Sequence, residues 1–386
     1  MHSLHRFTIA VWQNVNGQNK KSDKLNSIMK ETIVVSSRAR LRTYLAAGYA
    51  LFIVYASLSP FSGWQEQGLA FSAVLALPLL QQYTWFDAAA NLLGYLPFGL
   101  LLGLALRARF NVSRTLLLAL LGGVLLSAMM EYMQMYLPVR ISSNLDLLAN
   151  SSGTLAGALL AVSIAPREWF ALHLTYWRMR LFHGGGGVDF GLALVVLWMF
   201  AQINPSLPML GNVFISEVAR APFVVVQPVP FNWMESMAVL LNMLMLGMLL
   251  LTLLRMRRQA ASMLLLVLCT VAVAKFTAAA MLLKSWALLL WLNGEAMLGI
   301  FMGVLLVISV SRLSRTQLSK CAALVALGYW VLAYGILDSG EPSAAMRLYQ
   351  WNYGHLLNYN GLSQTITFVF PFLMLGYLWR AESTRQ

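Results

Sequence analysis

The sequence predicts an all-α fold, a polytopic bundle of about ten transmembrane helices with both termini on the cytoplasmic side. Three observations lead to this prediction. Hydrophobic residues make up 59% of the 386 residues and charged residues only 11%, whereas soluble domains carry about 25% charged residues. The apolar segments continue for roughly 17 to 24 residues, the length of a helix that crosses a bilayer. Basic residues are concentrated in the short stretches between those segments.

The continuity of the apolar segments distinguishes a helical bundle from a membrane β-barrel, whose strands alternate apolar and polar residues. A helix also satisfies all of its backbone hydrogen bonds within the segment, as the lipid interior requires. The predicted spans, in chain order, are 42–60, 88–106, 115–136, 146–164, 189–203, 234–254, 262–283, 286–310, 321–337 and 366–379.

The distribution of lysine and arginine sets the predicted orientation. If the N-terminus is inside, the cytoplasmic segments hold 22 of the 27 lysine and arginine residues. The outer loops hold only four, and the remaining one, Lys275, falls within a span. Because cytoplasmic loops of membrane proteins carry the excess of positive charge, an even number of spans is predicted. The net charge of +13 therefore reflects topology, and no nucleic-acid partner is expected.

The composition divides the chain into four segments. Residues 1–41 are predicted to be a basic cytoplasmic tail without fixed structure, and residues 42–165 a four-helix membrane domain. Residues 166–188 are predicted to be a cytoplasmic linker, which contains a run of glycines typical of flexible connections. Residues 189–386 would then form a second membrane domain of about six spans.

The two membrane domains show a similar order of features. Each has a span that begins with polar residues, a long span with one charge, and a span with paired glycines. The single charges are Glu131 in the first domain and Lys275 in the second. This order predicts either a degenerate internal repeat or only the ordinary alternation of spans. For Lys275 we expect an ion pair with Glu235 or Glu295, or extension towards the membrane surface.

Polar side chains accumulate at the predicted outer ends of the first-domain helices, where their presence in a membrane segment requires an explanation. Pairs spaced three or four residues apart share one helix face. Their positions predict one outward-facing pocket, in which carboxylates, amides and an arginine converge. The candidate cluster comprises Asp87, Asn91, Glu131, Gln134, Arg140, Asp146 and Asn150.

Small and helix-bending residues lie on the same helices. Pro97 can kink its helix, and Gly99 can allow a neighbouring helix to approach. Gly153 and Gly157 continue the helix face that carries Asp146, and their simplest role is also helix packing.

Several cluster residues have purely structural interpretations as well. Asp87 can cap a helix N-terminus. Glu131 and Arg140 can form an ion pair that only fixes the helix register. No catalytic residue is assigned, and neither a metal nor another cofactor is expected, since the histidines show no ligand spacing.

The order of these motifs is characteristic. An asparagine precedes an apolar Pro-x-Gly turn, a Glu-x-x-Gln pair follows, and Arg, Asp, Asn and Gly come next. In this order the chain resembles the VanZ-like family of bacterial integral membrane proteins, over about residues 42–165. The residues 57–61, Ser-Leu-Ser-Pro-Phe, which precede these motifs, also fit the end of the family's first helix. The residues that carry the resemblance are Asn91, Pro97, Gly99, Glu131, Gln134, Arg140, Asp146, Asn150 and Gly153.

The resemblance implies a multi-pass protein of the bacterial cytoplasmic (inner) membrane, with a link to glycopeptide (teicoplanin) resistance. The expected partners are membrane lipids and, at the outer face, a lipid-linked envelope precursor or a glycopeptide. Three functions fit: a binding protein of the cell envelope, an intramembrane enzyme and a transporter or flippase. In the enzyme, Asp146 or Glu131 would be the general base and Arg140 would hold a phosphate. The sequence leaves open whether the protein is an enzyme.

Overall fold

The structure is a computed structural model that describes residues 40–59, 61–76, 85–137, 142–164, 176–215, 230–337, 340–351 and 354–383. These residues form helices and connecting segments without a β-strand, which confirms the predicted all-α class. Ten long helices follow one another in the described ranges. They are α1 (Arg40–Leu58), α2 (Trp85–Leu106), α3 (Val112–Gln134), α4 (Asn144–Ile164), α5 (Gly186–Gln202), α6 (Trp233–Leu253), α7 (Ala260–Leu282), α8 (Gly294–Val310), α9 (Arg315–Val331) and α10 (Gly354–Ser383).

Each predicted span falls on one of these helices, but three boundaries differ. The span predicted to begin at residue 286 begins at Gly294, because the Asn293 side chain accepts the backbone N–H of Ala296 and caps α8 there. Helix α9 begins before residue 321, at a capping box formed by Ser314 and Gln317. Helix α10 begins at Gly354, well before residue 366. The segment 338–365, which separates the last two predicted spans, is therefore partly helical.

The outer surface of the bundle is apolar. Eight described helices are long and apolar enough to cross a bilayer, and α5 and α8 are shorter apolar helices. Large side chains such as Leu51, Leu125 and Leu324 are 68%, 64% and 69% exposed. An apolar belt of this extent is unfavourable in water but is the expected surface towards lipid. The chain is therefore a multi-pass membrane protein.

Helices α1 to α4 form the first group. Helix α4 packs tightly between α2 and α3. Helix α1 is tied to α2 near its start and at its middle, since Arg42 donates to the Leu104 carbonyl at 3.0 Å and Tyr49 donates to the Gly94 carbonyl at 2.9 Å. A small apolar core that includes Ile53, Phe98 and other large side chains lies between α1, α2 and α3.

The second group is built around α6, which is buried along most of its length and packs against α5, α7, α8 and α9. Helix α10 packs against α5 and α9. This arrangement explains why α6 is apolar on all sides, whereas helices at the edge of the bundle expose half of their surface to lipid.

The two groups meet where α1 lies beside α5. Phe52 and Phe200 stack with ring centroids 4.5 Å apart, and Tyr44 contacts Phe190 edge to face at 5.6 Å. On the predicted cytoplasmic side, the fully buried carboxylate of Asp189 forms ion pairs with Arg178 and, at 3.6 Å, with Arg40. Aromatic and ionic contacts therefore join the groups along one seam.

Candidate functional site

The close approach of α2 and α4 determines the geometry of the polar cluster. A Cβ atom added at Gly153 would overlap the Leu92 carbonyl oxygen, and one at Gly157 would overlap the Leu96 carbonyl oxygen. Gly99 is equally restricted by the Thr154 backbone. Glycine at these positions lets the two backbones touch. Pro97 lies inside α2, which continues past it to Leu106.

The first polar contact joins the N-terminal parts of these two helices. The Asn91 amide nitrogen donates a hydrogen bond to the Asp146 carboxylate. Asp146 lies in the first turn of α4 and Asp87 in the first turn of α2. Negative charge is favourable at both places, because a helix N-terminus carries a partial positive charge.

Glu131 lies close to this pair and is only 3% exposed. Its carboxylate accepts the backbone N–H of Ser143 at 3.1 Å, immediately before α4. Ser142 donates to the Glu131 carbonyl oxygen at 2.8 Å. The charges of Glu131 and Asp146 are near enough to act on each other. The site is therefore rich in acceptors and negatively charged among the residues that the structure describes.

Asn150 and Tyr95 extend the site into the bundle. The amide nitrogen of Asn150 donates to the Ser127 hydroxyl at 2.9 Å. The Asn150 side-chain oxygen is buried and has no hydrogen-bond partner among the described residues, and the buried Tyr95 hydroxyl lies beside Ser127. Tyr95 lies in the electrostatic field of both Glu131 and Asp146. Buried polar atoms without partners are unfavourable and are satisfied by water or by a ligand.

Gln134 connects the polar cluster to a cavity. Its amide nitrogen donates to the Ser57 carbonyl oxygen at 3.0 Å, at the end of α1. Beside it lies a cavity of about 260 Å³, whose wall includes Asn91 and Tyr95 as well as Gln134. The remaining wall is largely apolar and comes from four helices. It consists of Tyr49, Phe52, Ile53, Ala56, Ser57, Ala90, Gly94, Phe200 and Leu362.

The structure brings together most of the predicted cluster. Asn91, Glu131 and Asp146 converge at the ends of α2, α3 and α4, with Asn150 one turn deeper and Gln134 at the cavity. Arg140, with its predicted ion pair to Glu131, lies outside the described residues. In the described ranges no group of three or more His, Cys, Asp or Glu side chains could hold a metal ion.

Sequence reasoning missed three contributors. Tyr95 is one helical turn after Asn91, and Ser127 is one turn before Glu131, so helical spacing could have indicated both. Phe200 carries no local signal, because it reaches the cavity from α5, in the other half of the chain.

The prediction for Lys275 is wrong. The fully buried ammonium group donates to the backbone carbonyls of Gln202 at 2.9 Å and Asn204 at 2.5 Å, just beyond α5. Glu235 accepts from the Asn293 amide and Glu295 from the Asn232 backbone N–H instead. The carbonyls at a helix C-terminus lack partners within the helix and attract a cation.

Comparison with known proteins identifies one related family. The family model described as VanZ/LLP1 matches residues 26–165. Residues 26–165 therefore form a VanZ-like domain. The match confirms the resemblance that the motifs indicated, and it ends at the same residue as the predicted first membrane domain. No curated protein and no solved structure matches the chain.

Proposed function

We propose that this VanZ-like membrane protein binds an envelope lipid or a lipid-linked precursor from the outer side of the membrane. One observation carries the proposal. Asn91 and Gln134 of the polar cluster line the same cavity as the apolar side chains Phe52 and Phe200. A cavity with a polar end and an apolar wall matches an amphiphile, whose head group and chain require different surroundings.

The chemistry of the cluster indicates what a head group would contribute. The carboxylates of Asp146 and Glu131 accept hydrogen bonds from hydroxyl or amino groups. Asn91 and Gln134 both donate and accept. Arg140, in the adjoining segment, would supply the partner for a phosphate. The cavity volume of about 260 Å³ lies near the lower end of the volumes of ligand pockets. The cavity would therefore hold part of one acyl chain, and the rest of that chain would lie in the bilayer.

We place the protein in the bacterial cytoplasmic (inner) membrane with both termini inside. The excess of basic residues in the inner segments supports this orientation. A protein that binds an envelope precursor at the outer face would change how readily a glycopeptide reaches that precursor. This effect is the proposed link to teicoplanin resistance. Reporter fusions at each terminus test the orientation, since a reporter active outside at either end would contradict it.

A labelling experiment tests lipid binding. The purified protein is reconstituted with a phosphatidylglycerol that carries a photoreactive group in one acyl chain. We expect label on α1 and α2 around the cavity. Ala90→Phe fills the cavity and should remove that label, whereas Ala89→Phe, at the exposed position immediately before it, should leave it unchanged. Equal labelling of both variants would reject the cavity as the chain site.

A susceptibility assay tests the head-group cluster. Asp146→Asn and Gln134→Leu, each at the parent's protein level, should change teicoplanin susceptibility if the cluster binds its ligand. If susceptibility is unchanged at a normal protein level, these residues only support the fold, and the proposed link to resistance is refuted.

The second candidate is an intramembrane enzyme that modifies the bound precursor. The proximity of Glu131 and Asp146 favours it, because two neighbouring carboxylates can share a proton and divide acid and base roles. Mass spectrometry of lipids incubated with the reconstituted protein decides between the candidates. A new lipid species that Glu131→Gln abolishes supports the enzyme, and an unchanged lipid composition supports binding alone. Movement of the labelled lipid between leaflets in the same vesicles would instead support a flippase.

A further inference from the structure

The packing of α6 against α8 reproduces the packing of α2 against α4. In the first group, Gly153 meets the Leu92 carbonyl and Gly157, four residues later, meets the Leu96 carbonyl. In the second group, Gly299 meets the Ser236 carbonyl at 2.5 Å from its Cβ position, and Gly303 lies near the Leu240 carbonyl at 3.6 Å. The contacts in each helix are again four residues apart.

The agreement continues along the helices. Seven residues after Leu96, Gly103 faces Ala161 of α4. Seven residues after Leu240, Gly247 faces Val307 of α8. Ala161 and Val307 each lie four residues after the second glycine of their own helix. Alternation of spans explains a repeated order of helices, but it does not explain a repeated contact register.

The polar ends of the two helix pairs also correspond. The residue before Leu92 is Asn91, which donates to Asp146 at the start of α4. The residue before Ser236 is Glu235, which accepts from Asn293 at the start of α8, at 3.4 Å. Both groups make an acid–amide contact at this end, with the acid and the amide exchanged between the helices; Asp146 lies in the first turn of α4, and Asn293 is the N-cap of α8.

The third helix of each group donates to the C-terminal end of the first, from the last residue of α3 and from a residue two turns before the end of α7. Gln134 of α3 donates to the Ser57 carbonyl at the C-terminal end of α1. Lys275 of α7 donates to the Gln202 carbonyl at the C-terminal end of α5. In addition, α1 and α5 lie side by side, and Phe52 and Phe200 stack at similar heights in the two helices. Corresponding elements meet in this way when two copies are related by a two-fold axis between them.

We propose that α1–α4 and α5–α8 are two copies of one four-helix unit, and that, within the part of the chain that the structure describes, the open ligand cavity belongs to the first copy. The second cavity is closed by the two helices that the first copy lacks, α9 and α10. Helices α1 and α2 border the 260 Å³ cavity beside Asn91, whereas α5 and α6 border a void of about 10 Å³ at Asn242, two helical turns after Glu235. Tyr329 of α9 and Phe370 of α10 line this void together with Trp198 and Asn242, which are joined by a hydrogen bond of 2.7 Å.

Under this assignment the described residues form one lipid site, and its wall combines helices of the first copy with residues from the rest of the chain. Helix α10 closes the second copy with Phe370 and borders the open cavity of the first with Leu362. The single open site rests on the function proposed above, whereas the duplication does not, so the two are tested separately.

Exchange of the polar residues tests the duplication without any ligand. Asn91→Glu places a third carboxylate near Asp146 and Glu131, and adding Asp146→Asn creates the arrangement found in the second copy. Asn293→Asp places a carboxylate against Glu235, and adding Glu235→Asn creates the arrangement of the first. Each variant is purified in detergent and its thermal unfolding is measured.

Asn91→Glu alone and Asn293→Asp alone should each lower the midpoint temperature of unfolding by roughly 5 °C or more. Adding Asp146→Asn to the first, or Glu235→Asn to the second, should restore most of the lost stability. The mismatched combination of Asn91→Glu with Glu235→Asn is the control and should restore nothing. If the single variants are as stable as the parent, or if either matched double variant is no better than its singles, the ends are not equivalent and the duplication is overturned.

The open and closed cavities are compared by labelling with the photoreactive phosphatidylglycerol. The parent protein should carry label on α1 and α2 and none on the inner face of α6. Phe370→Ala, which enlarges the second void, should add label near Trp198 without loss of the first site. Label near Trp198 in the parent would refute the closed second cavity, and absence of label from both places would refute the lipid site while leaving the exchange experiment valid.

Discussion

At the scale of single residues, Glu131 has two separable roles. Its side-chain oxygen accepts the Ser143 N–H at the start of α4, which is a folding contact, and its ionisable carboxyl group lies beside Asp146 in the polar cluster. An amide oxygen can replace the first role but not the second. Substitutions that differ only in this respect therefore separate stability from ligand binding.

The prediction for Glu131 follows from that difference. Glu131→Gln should keep the acceptor and unfold at nearly the parent's temperature, whereas Glu131→Leu leaves the Ser143 N–H unsatisfied and should cost about 1–3 kcal/mol. Thermal unfolding in detergent measures both. Equal stability of the leucine variant would show that the Ser143 contact contributes nothing to folding.

Lys275 provides a second residue-scale prediction. Its ammonium group satisfies two buried carbonyls, so Lys275→Met should lower the free energy of unfolding by about 1–3 kcal/mol. Lys320→Met, at an exposed position of α9, is the matched control and should change it by less than about 0.5 kcal/mol. A stable Lys275→Met protein would mean that water reaches those carbonyls.

At the scale of helices, glycine acts only where a second backbone is close. Gly157 lies against the Leu96 carbonyl, whereas Gly48 of α1 has no atom within 4 Å of its Cβ position. Both are helical glycines, so intrinsic helix propensity favours alanine equally at the two positions. Any difference between them measures the packing of α2 against α4.

We therefore expect opposite effects of the same substitution. Gly157→Ala forces the helices apart and should cost about 1–3 kcal/mol, while Gly48→Ala should be neutral or stabilising by up to about 1 kcal/mol. Unfolding in detergent compares the two. If Gly157→Ala is tolerated as well as Gly48→Ala, the α2–α4 contact is looser than the structure shows.

At the scale of the whole molecule, the seam between the groups combines aromatic contacts with one buried acid. Asp189 joins α5 to Arg178 and to Arg40 of α1. Asp189→Asn leaves the largely buried Arg178 guanidinium without its counter-ion and should cost about 3–5 kcal/mol. Glu66→Gln, at an exposed acid, is the control. Limited proteolysis should then separate the two groups more readily in Asp189→Asn only.

Much of the fold follows from the sequence at the level of segments. The ten predicted spans all fall on helices, and the VanZ-like motifs identify the domain that the family model matches. Prediction was weakest at helix ends. Asn293 and Ser314 fix the starts of α8 and α9 through side-chain caps, and apolar length alone does not reveal a cap.

The candidate site was only partly predictable. Asn91, Glu131 and Asp146 were indicated because polar groups in apolar segments are conspicuous. The cavity was not, since its wall needs Phe200 and Leu362 from distant parts of the chain. The partner of Lys275 was predicted wrongly because a backbone carbonyl has no signature in the sequence.

The sequence alone determined the class, the positions of the helices and the location of the polar residues along them. These depend on transfer of a segment into lipid and on hydrogen bonds within it, which are local properties. The tertiary structure decided which helices are neighbours and where the bundle leaves a cavity. Those features depend on the fit of side chains that are far apart in the chain, and no local pattern records that fit.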